Sequence, residues 1–226
     1  ADQSTSVTLQ DTNLLITLDV SGSMNTEISS GIPKQTRFNA AVSSINRLLD
    51  SYAEFGVVKV RLVTFSDTAT IQGGTWMSVA DTKTLLDSLT PAGNTNYDAA
   101  LAAAQTAYAT TTGHLPSGQN ISYFFSDGNP TAPDPGVGID GTEEAAWISF
   151  LNTAQMNSYA IGMTTDVSPT KLDPIAWNGS TATNASSTVV TDLNQLDAVL
   201  QGTVPIPKGD LVTGGRIGSG GQVGAD

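Results

Sequence analysis

Cysteine is absent from this chain. That excludes disulfides and thiol catalysis but leaves the redox compartment open, because an oxidising compartment permits disulfides without requiring them. Basic residues are scarce: nine Lys and Arg stand against 21 Asp and Glu, for a net charge of −12. This balance argues against nucleic acid and anionic membranes as partners and favours cation binding and solubility, although a solvated acidic surface gives the same total. Long apolar runs are missing as well. The longest are strand-sized, so direct membrane insertion is not expected, and nothing resembles a signal peptide. The chain opens on Ala1 and not on Met, which suggests a piece of a longer polypeptide or a processed product.

What is present is enough for one sizeable domain. A chain of 226 residues can bury ~70% of its unfolded surface. Leu14–Leu18 is apolar enough to be a buried strand. Phe38, Ala41, Val42, Ile45, Leu48, Leu49 and Tyr52 recur at helical spacing. Val57–Phe65 reads as a strand and Ala69–Gln72 as a short edge strand. Asp81–Leu89 reads as a helix, Thr95 opens an alanine-rich helix to about Tyr108, and Ile121–Ser126 is a compact strand. Helix, strand, strand and helix follow at Glu143–Met156, Tyr159–Met163, Thr188–Thr191 and Leu193–Leu200, with a helical turn within Pro169–Trp177.

Strands alternating with helices at this spacing predict an α/β fold. Its sheet would be doubly wound and mostly parallel, with about six strands, one a short antiparallel edge strand, and helices on both faces. The domain is expected over residues 1–203. Residues 204–226, rich in Pro and Gly, read as a linker or the start of a following module. Gly214–Ser219 is echoed by Gly220–Ala225, but two copies are too few for a repeat architecture.

The organising stretch is Asp19-Val20-Ser21-Gly22-Ser23. Asp19 ends the first strand, at the sheet edge where open α/β folds bind ligands. One carboxylate and two hydroxyls alternate there, and Gly22 is expected to let the chain turn between them. Oxygen-only donors suit a hard divalent cation, Mg²⁺, Mn²⁺ or Ca²⁺, and suit zinc or copper poorly. Two further oxygens can reach the same edge: Thr95, at the start of its helix, and Asp127, at the end of Ile121–Ser126. Singly, Ser21 and Ser23 read as turn residues and Asp19 or Thr95 as helix caps. All five in this order read as one site. Asp67 is expected to stabilise its own turn, and Asp98 to sit in a first helical turn, where negative charge is favourable.

These residues resemble the signatures of von Willebrand factor A domains: Asp-x-Ser-x-Ser at 19–23, Thr95–Leu101, and Phe125-Ser126-Asp127-Gly128. Val60–Asp67 resembles that family's second strand and the turn after it. The resemblance runs in order over about residues 10–202. It implies a metal-ion-dependent adhesion site, with Ser21, Ser23 and Thr95 as hydroxyl ligands and Asp19 and Asp127 holding one divalent cation directly or through water. An ion held that way keeps much of its charge and an open coordination position, which a partner's carboxylate can fill. Relative to a minimal member, the loops Thr26–Gln35 and Pro130–Gly141 look long. Asp134 and Asp140, with Glu143 and Glu144, form a candidate second cation site or a solvated face.

The resemblance implies an adhesion module, not an enzyme, that binds a protein or peptide presenting Asp or Glu. The expected setting is a monomeric module of a large bacterial RTX-type adhesin, secreted or at the cell surface. An intracellular domain assembling with an ATPase or chelatase, and a spacer stiffened by metal, are the alternatives. Catalysis fits poorly. Phosphoryl-transfer hydrolases need a second carboxylate two residues after the nucleophile, where this chain has Ser21. No Gly-x-Ser-x-Gly elbow occurs, and the single histidine, His114, lies in a loop.

Overall fold

The computed structural model describes residues 9–28 and 35–205; the tail repeat at 214–225 lies outside them. Eight strands form one sheet: β1 (Thr12–Asp19), β2 (Val58–Phe65), β3 (Ala69–Met77), β4 (Gln119–Ser126), β5 (Met156–Met163), β6 (Trp177–Asn178), β7 (Thr183–Asn184) and β8 (Thr188–Val190). The order across the sheet is β3-β2-β1-β4-β5. β1 pairs in parallel with both β2 and β4, and β4 with β5. The chain leaves β1 first to one side and later returns to the other, so the switch point falls at the carboxyl end of β1.

β1 is buried along its whole length because it is covered on both faces. Leu14, Ile16 and Leu18 point into one core with Phe38, Ile45, Leu48 and Leu49 of α1 (Arg37–Ala53). Leu86 of α2 (Val79–Leu86) and Leu196 and Leu200 of α6 (Leu196–Gln201) complete that side. Leu15 points into the other core, with Tyr97 and Leu101 of α3 (Tyr97–Tyr108), Trp147 and Leu151 of α4 (Gly141–Thr153), and Leu172 of α5 (Pro169–Leu172). The doubly wound α/β architecture expected from the sequence is the one observed.

Three local details differ from expectation. β3, antiparallel as expected, is not short: it runs on to Met77, past Gln72. Gly73, at φ +69°, and a register shift against β2 carry it through its two glycines. Helix α4 stops at Thr153, and Gln155, at φ +50°, turns the chain straight into β5, which starts three residues earlier than its apolar pattern suggests. The outer edge of β5 is shared: β6 pairs antiparallel with Asn157 and Ser158, and β8 pairs in parallel with Ile161–Met163. β6 and β7 form a hairpin that lacks enough residues to show any periodicity.

Polar groups tie the helices to the sheet where apolar packing leaves them buried. The Tyr52 and Tyr123 hydroxyls are 2.8 Å apart, and Tyr123 is 2.6 Å from the Thr203 hydroxyl. Trp147 is 1% exposed and its indole N–H donates to the Ile175 carbonyl at 3.0 Å. Replacing it by alanine removes the largest side chain of that core; Trp147→Ala should cost about 3–5 kcal/mol in urea unfolding, with an unchanged m-value.

Candidate metal centre

The apolar strands β1 and β4 end side by side, which brings Asp19 and Asp127 to one crevice. Both are fully buried. Asp19 is held from two sides: its Oδ1 accepts the Ser21 backbone N–H at 2.8 Å and its Oδ2 accepts the Ser126 hydroxyl at 2.6 Å. The Ser21 and Ser23 hydroxyls are 3.0 Å apart, and Ser23 Oγ donates to Asp127 Oδ1 at 2.7 Å. The cluster therefore runs from buried Asp19 through buried Ser21 to exposed Ser23, so its outer end faces solvent.

Thr95 arrives on a separate loop. It is 4% exposed and precedes α3, whose N-cap is Asn96; the helix opens two residues later than the sequence suggests. Its backbone is fixed by Thr131: the Thr95 N–H donates to Thr131 Oγ1 at 2.9 Å, and the Thr95 carbonyl accepts from the N–H groups of Thr131 and Ala132. Three bonds draw this loop to the first motif. Ala92 N–H donates to the Val20 carbonyl (2.7 Å), Gly22 N–H to the Gly93 carbonyl (2.9 Å), and the Asn25 side chain to the Pro91 carbonyl (2.9 Å).

Asp67 has a different role from the one expected. Its carboxylate reaches across to accept the Asn94 N–H at 3.2 Å and the Asn94 side-chain N–H at 2.6 Å, and its carbonyl accepts from Asn96. It thus pins the loop that carries Thr95. The glycine this geometry requires is Gly93, not Gly22: Gly93 has φ +88°, and a Cβ there would overlap Asp67 Oδ2. Gly22 begins a 3-10 turn, Gly22–Asn25, where an added Cβ would make ordinary contact.

Arg37, which sequence reasoning did not assign to the site, enters it from the first turn of α1. Its Nη1 donates to Asp127 Oδ2 at 2.9 Å and its Nη2 to Asp166 Oδ2 at 2.6 Å. Burial opposes its charge, but the hydrogen bonds and charges of the two carboxylates outweigh that and hold the guanidinium above its ordinary pKa. Burial is also what moves Asp19, whose carboxyl is pushed up to about 7 against the lowering effect of the Ser126 and Ser21 hydrogen bonds.

Asp134 and Asp140 do not come together as a second site. Asp140 caps α4: its Oδ1 accepts the N–H groups of Thr142 and Glu143, and Glu143 returns a bond to the Asp140 N–H. Asp134 is exposed in the preceding loop. Among the described residues no group of three or more His, Cys, Asp or Glu could hold an ion. These acids still act on Asp98, in the first turn of α3. Its carboxyl is raised first by burial, then by Glu143, Asp140 and Asp134.

The donors that do converge are two carboxylates and the hydroxyls of Ser21 and Ser23, with Thr95 on the adjoining loop. All are oxygen, a set that fits a hard divalent cation. A sequence model of the von Willebrand factor type A domain matches residues 14–129. No curated protein matches the chain in sequence. Among solved structures, the fold is similar to a von Willebrand factor type A protein from Catenulispora acidiphila (TM-score 0.64, 20% identity, covering 85% of this chain and 42% of that one). It is similar to proximal thread matrix protein 1 from the mussel byssus with a zinc-occupied MIDAS motif (TM-score 0.64, 19% identity, 86% and 45%). It also resembles BatB from Bacteroides thetaiotaomicron (TM-score 0.57, 18% identity, 84% and 95%). The chain spans less than half the length of the first two.

Two outcomes are expected. The Asp19 carboxyl keeps its proton in the folded, metal-free protein up to about pH 7, whereas in the unfolded chain it loses it near the ordinary value of about 4. Its contribution is therefore complete below about pH 4 and is lost as pH rises through 7. Unfolding free energies in chelator should show wild type falling by up to about 4 kcal/mol relative to Asp19→Asn between pH 4 and 8. Separately, Gly93→Ala should destabilise by about 1–3 kcal/mol, measured by denaturant unfolding, because φ and the Asp67 carboxylate both oppose the new Cβ.

Proposed function

The chain belongs to the von Willebrand factor type A domain family, and from that premise we propose that it is a cation-dependent binding module. The observation that carries this reading is the buried pair Asp19 and Asp127, joined through Ser21 and Ser23 into one oxygen cluster that opens to solvent at Ser23. Asp19, Ser21, Ser23, Thr95 and Asp127 would hold one divalent cation, Mg²⁺, Mn²⁺ or Ca²⁺. The zinc in the mussel protein's motif adds that ion to those worth testing. A bound cation would supply positive charge and a coordination position for an Asp or Glu of a protein or peptide partner.

This chain's own residues prepare that site. Ser126 and the Ser21 N–H orient Asp19, while Asp67 and Gly93 hold the Thr95 loop against the first motif. The position two residues after Asp19 spends its N–H on that aspartate, and offers no second carboxylate for phosphoryl transfer. His114 lies before the amino end of β4, away from Asp127, and packs against Trp76 and Tyr108. Both features favour binding over catalysis. The acidic, cysteine-free composition suits a module of a secreted or cell-surface adhesin, with the large bacterial RTX type as the proposed parent.

Thermal unfolding of chelator-treated protein against added Mg²⁺, Mn²⁺, Ca²⁺ and Zn²⁺ tests the reading. Binding to the native state alone raises stability by RT ln(1 + [L]/Kd), about 2.7 kcal/mol at a hundredfold excess over Kd. The rise should be present in wild type and lost in Ser23→Ala and Thr95→Ala. A rise that survives both substitutions, or no rise with any of the four ions, would refute the site.

A further inference from the structure

The metal centre already contains a cation. Arg37 is the first residue of α1, and its place is fixed before its side chain acts: its N–H donates to the Thr26 carbonyl at 3.0 Å, and the Thr36 N-cap hydroxyl accepts from Asn39 at 3.1 Å. The start of α1 is thus tied to the chain that leaves the Gly22–Asn25 turn. From there the side chain, 12% exposed, reaches Asp127, which is fully buried, and Asp166, which is 58% exposed. Its Nε–H is buried without a partner among the described residues. Two carboxylates, and not a full set of hydrogen bonds, hold the guanidinium in place.

The consequence for Asp127 is that both of its oxygens are engaged. Oδ1 takes the Ser23 hydroxyl and Oδ2 takes Arg37 Nη1. A guanidinium is charged at any accessible pH and binds carboxylate in a planar fork, so this neutralisation does not titrate away. An incoming dication meets Asp19 with no cation of its own, and Asp127 already paired with one.

We propose that Arg37 is a resident counter-cation that competes with the metal for Asp127, and that Asp166 shares the guanidinium and so moderates that competition. This rests on the cation-binding reading above. Arg37 keeps the metal-free centre assembled by compensating a buried carboxylate that would otherwise be uncompensated. It also sets the affinity low, so that occupancy follows the surrounding cation concentration. Selectivity follows as well. Ca²⁺ takes six to eight oxygens and accepts additional carboxylates readily, whereas Mg²⁺ keeps waters and strict octahedral geometry. Holding Asp127 back therefore penalises Ca²⁺ more than Mg²⁺.

Isothermal titration of Mg²⁺, Mn²⁺ and Ca²⁺ into wild type, Arg37→Gln, Asp166→Asn and the double variant tests this. Arg37→Gln should bind at least tenfold more tightly than wild type, with the largest gain for Ca²⁺. Asp166→Asn should bind more weakly, because Arg37 then bears on Asp127 alone, and the effect should shrink severalfold in the double variant. Equal or weaker binding by a folded Arg37→Gln overturns the proposal while leaving the metal site intact. If Arg37→Gln fails to fold, Arg37→Met, which keeps the aliphatic stem, decides by the same criterion: tighter binding supports the competition, and equal or weaker binding overturns it. No binding by wild type overturns the metal site itself, and this proposal with it.

Discussion

A fully buried carboxylate at the end of the central strand is the constraint from which the rest of this structure follows. Desolvating Asp19 raises its pKa and makes every neighbour answerable for it: the turn must deliver the Ser21 N–H, β4 must deliver Ser126, and the two strands must end level. Those demands are met because β1 lies between two parallel partners, with an apolar layer on each face. Packing alone would place the strand ends near one another. The hydrogen bonds to Asp19 convert that nearness into one defined arrangement.

Charge is distributed unevenly across the site. Asp127 has a cation beside it and Asp19 has none. Burial of both without compensation would be costly, and the chain resolves this in two different ways, protonation for one and an arginine for the other. Each solution is provisional, since a proton can leave and a guanidinium can be outcompeted. The oxygen cluster is therefore held together by the chain's own groups.

Much of this was legible in the sequence for physical reasons. β1 and β4 are apolar runs that stop at an acid, so their ends and the meeting of Asp19 with Asp127 could be read directly, and α1 shows its buried stripe at helical spacing. What escaped was contact between distant residues. Arg37 finds Asp166 across 129 positions and Asp127 across 90, and nothing local distinguishes it from a helix-surface arginine. Asp67 looked like an ordinary turn acid because its partner, Asn94, is 27 residues away. Gly22 drew attention by lying inside the motif, whereas the glycine with an obligatory conformation is Gly93, in the loop that approaches from outside. The β6–β7 hairpin has two residues per strand, too few for alternation to register.

The shared use of the Tyr52–Tyr123–Thr203 hydroxyls bears on how this domain can be mounted. Thr203 follows α6, and Gln201 bonds Ser51 near the end of α1, while Gln10 bonds Phe55 just beyond it. The described chain thus enters and leaves beside the same helix end, at the pole of the sheet opposite Asp19. A pull applied at Gln10 and Thr203 would pass through the base of β1 and the α1–α6 contact without crossing the crevice, so the oxygen cluster could keep its shape under such a load.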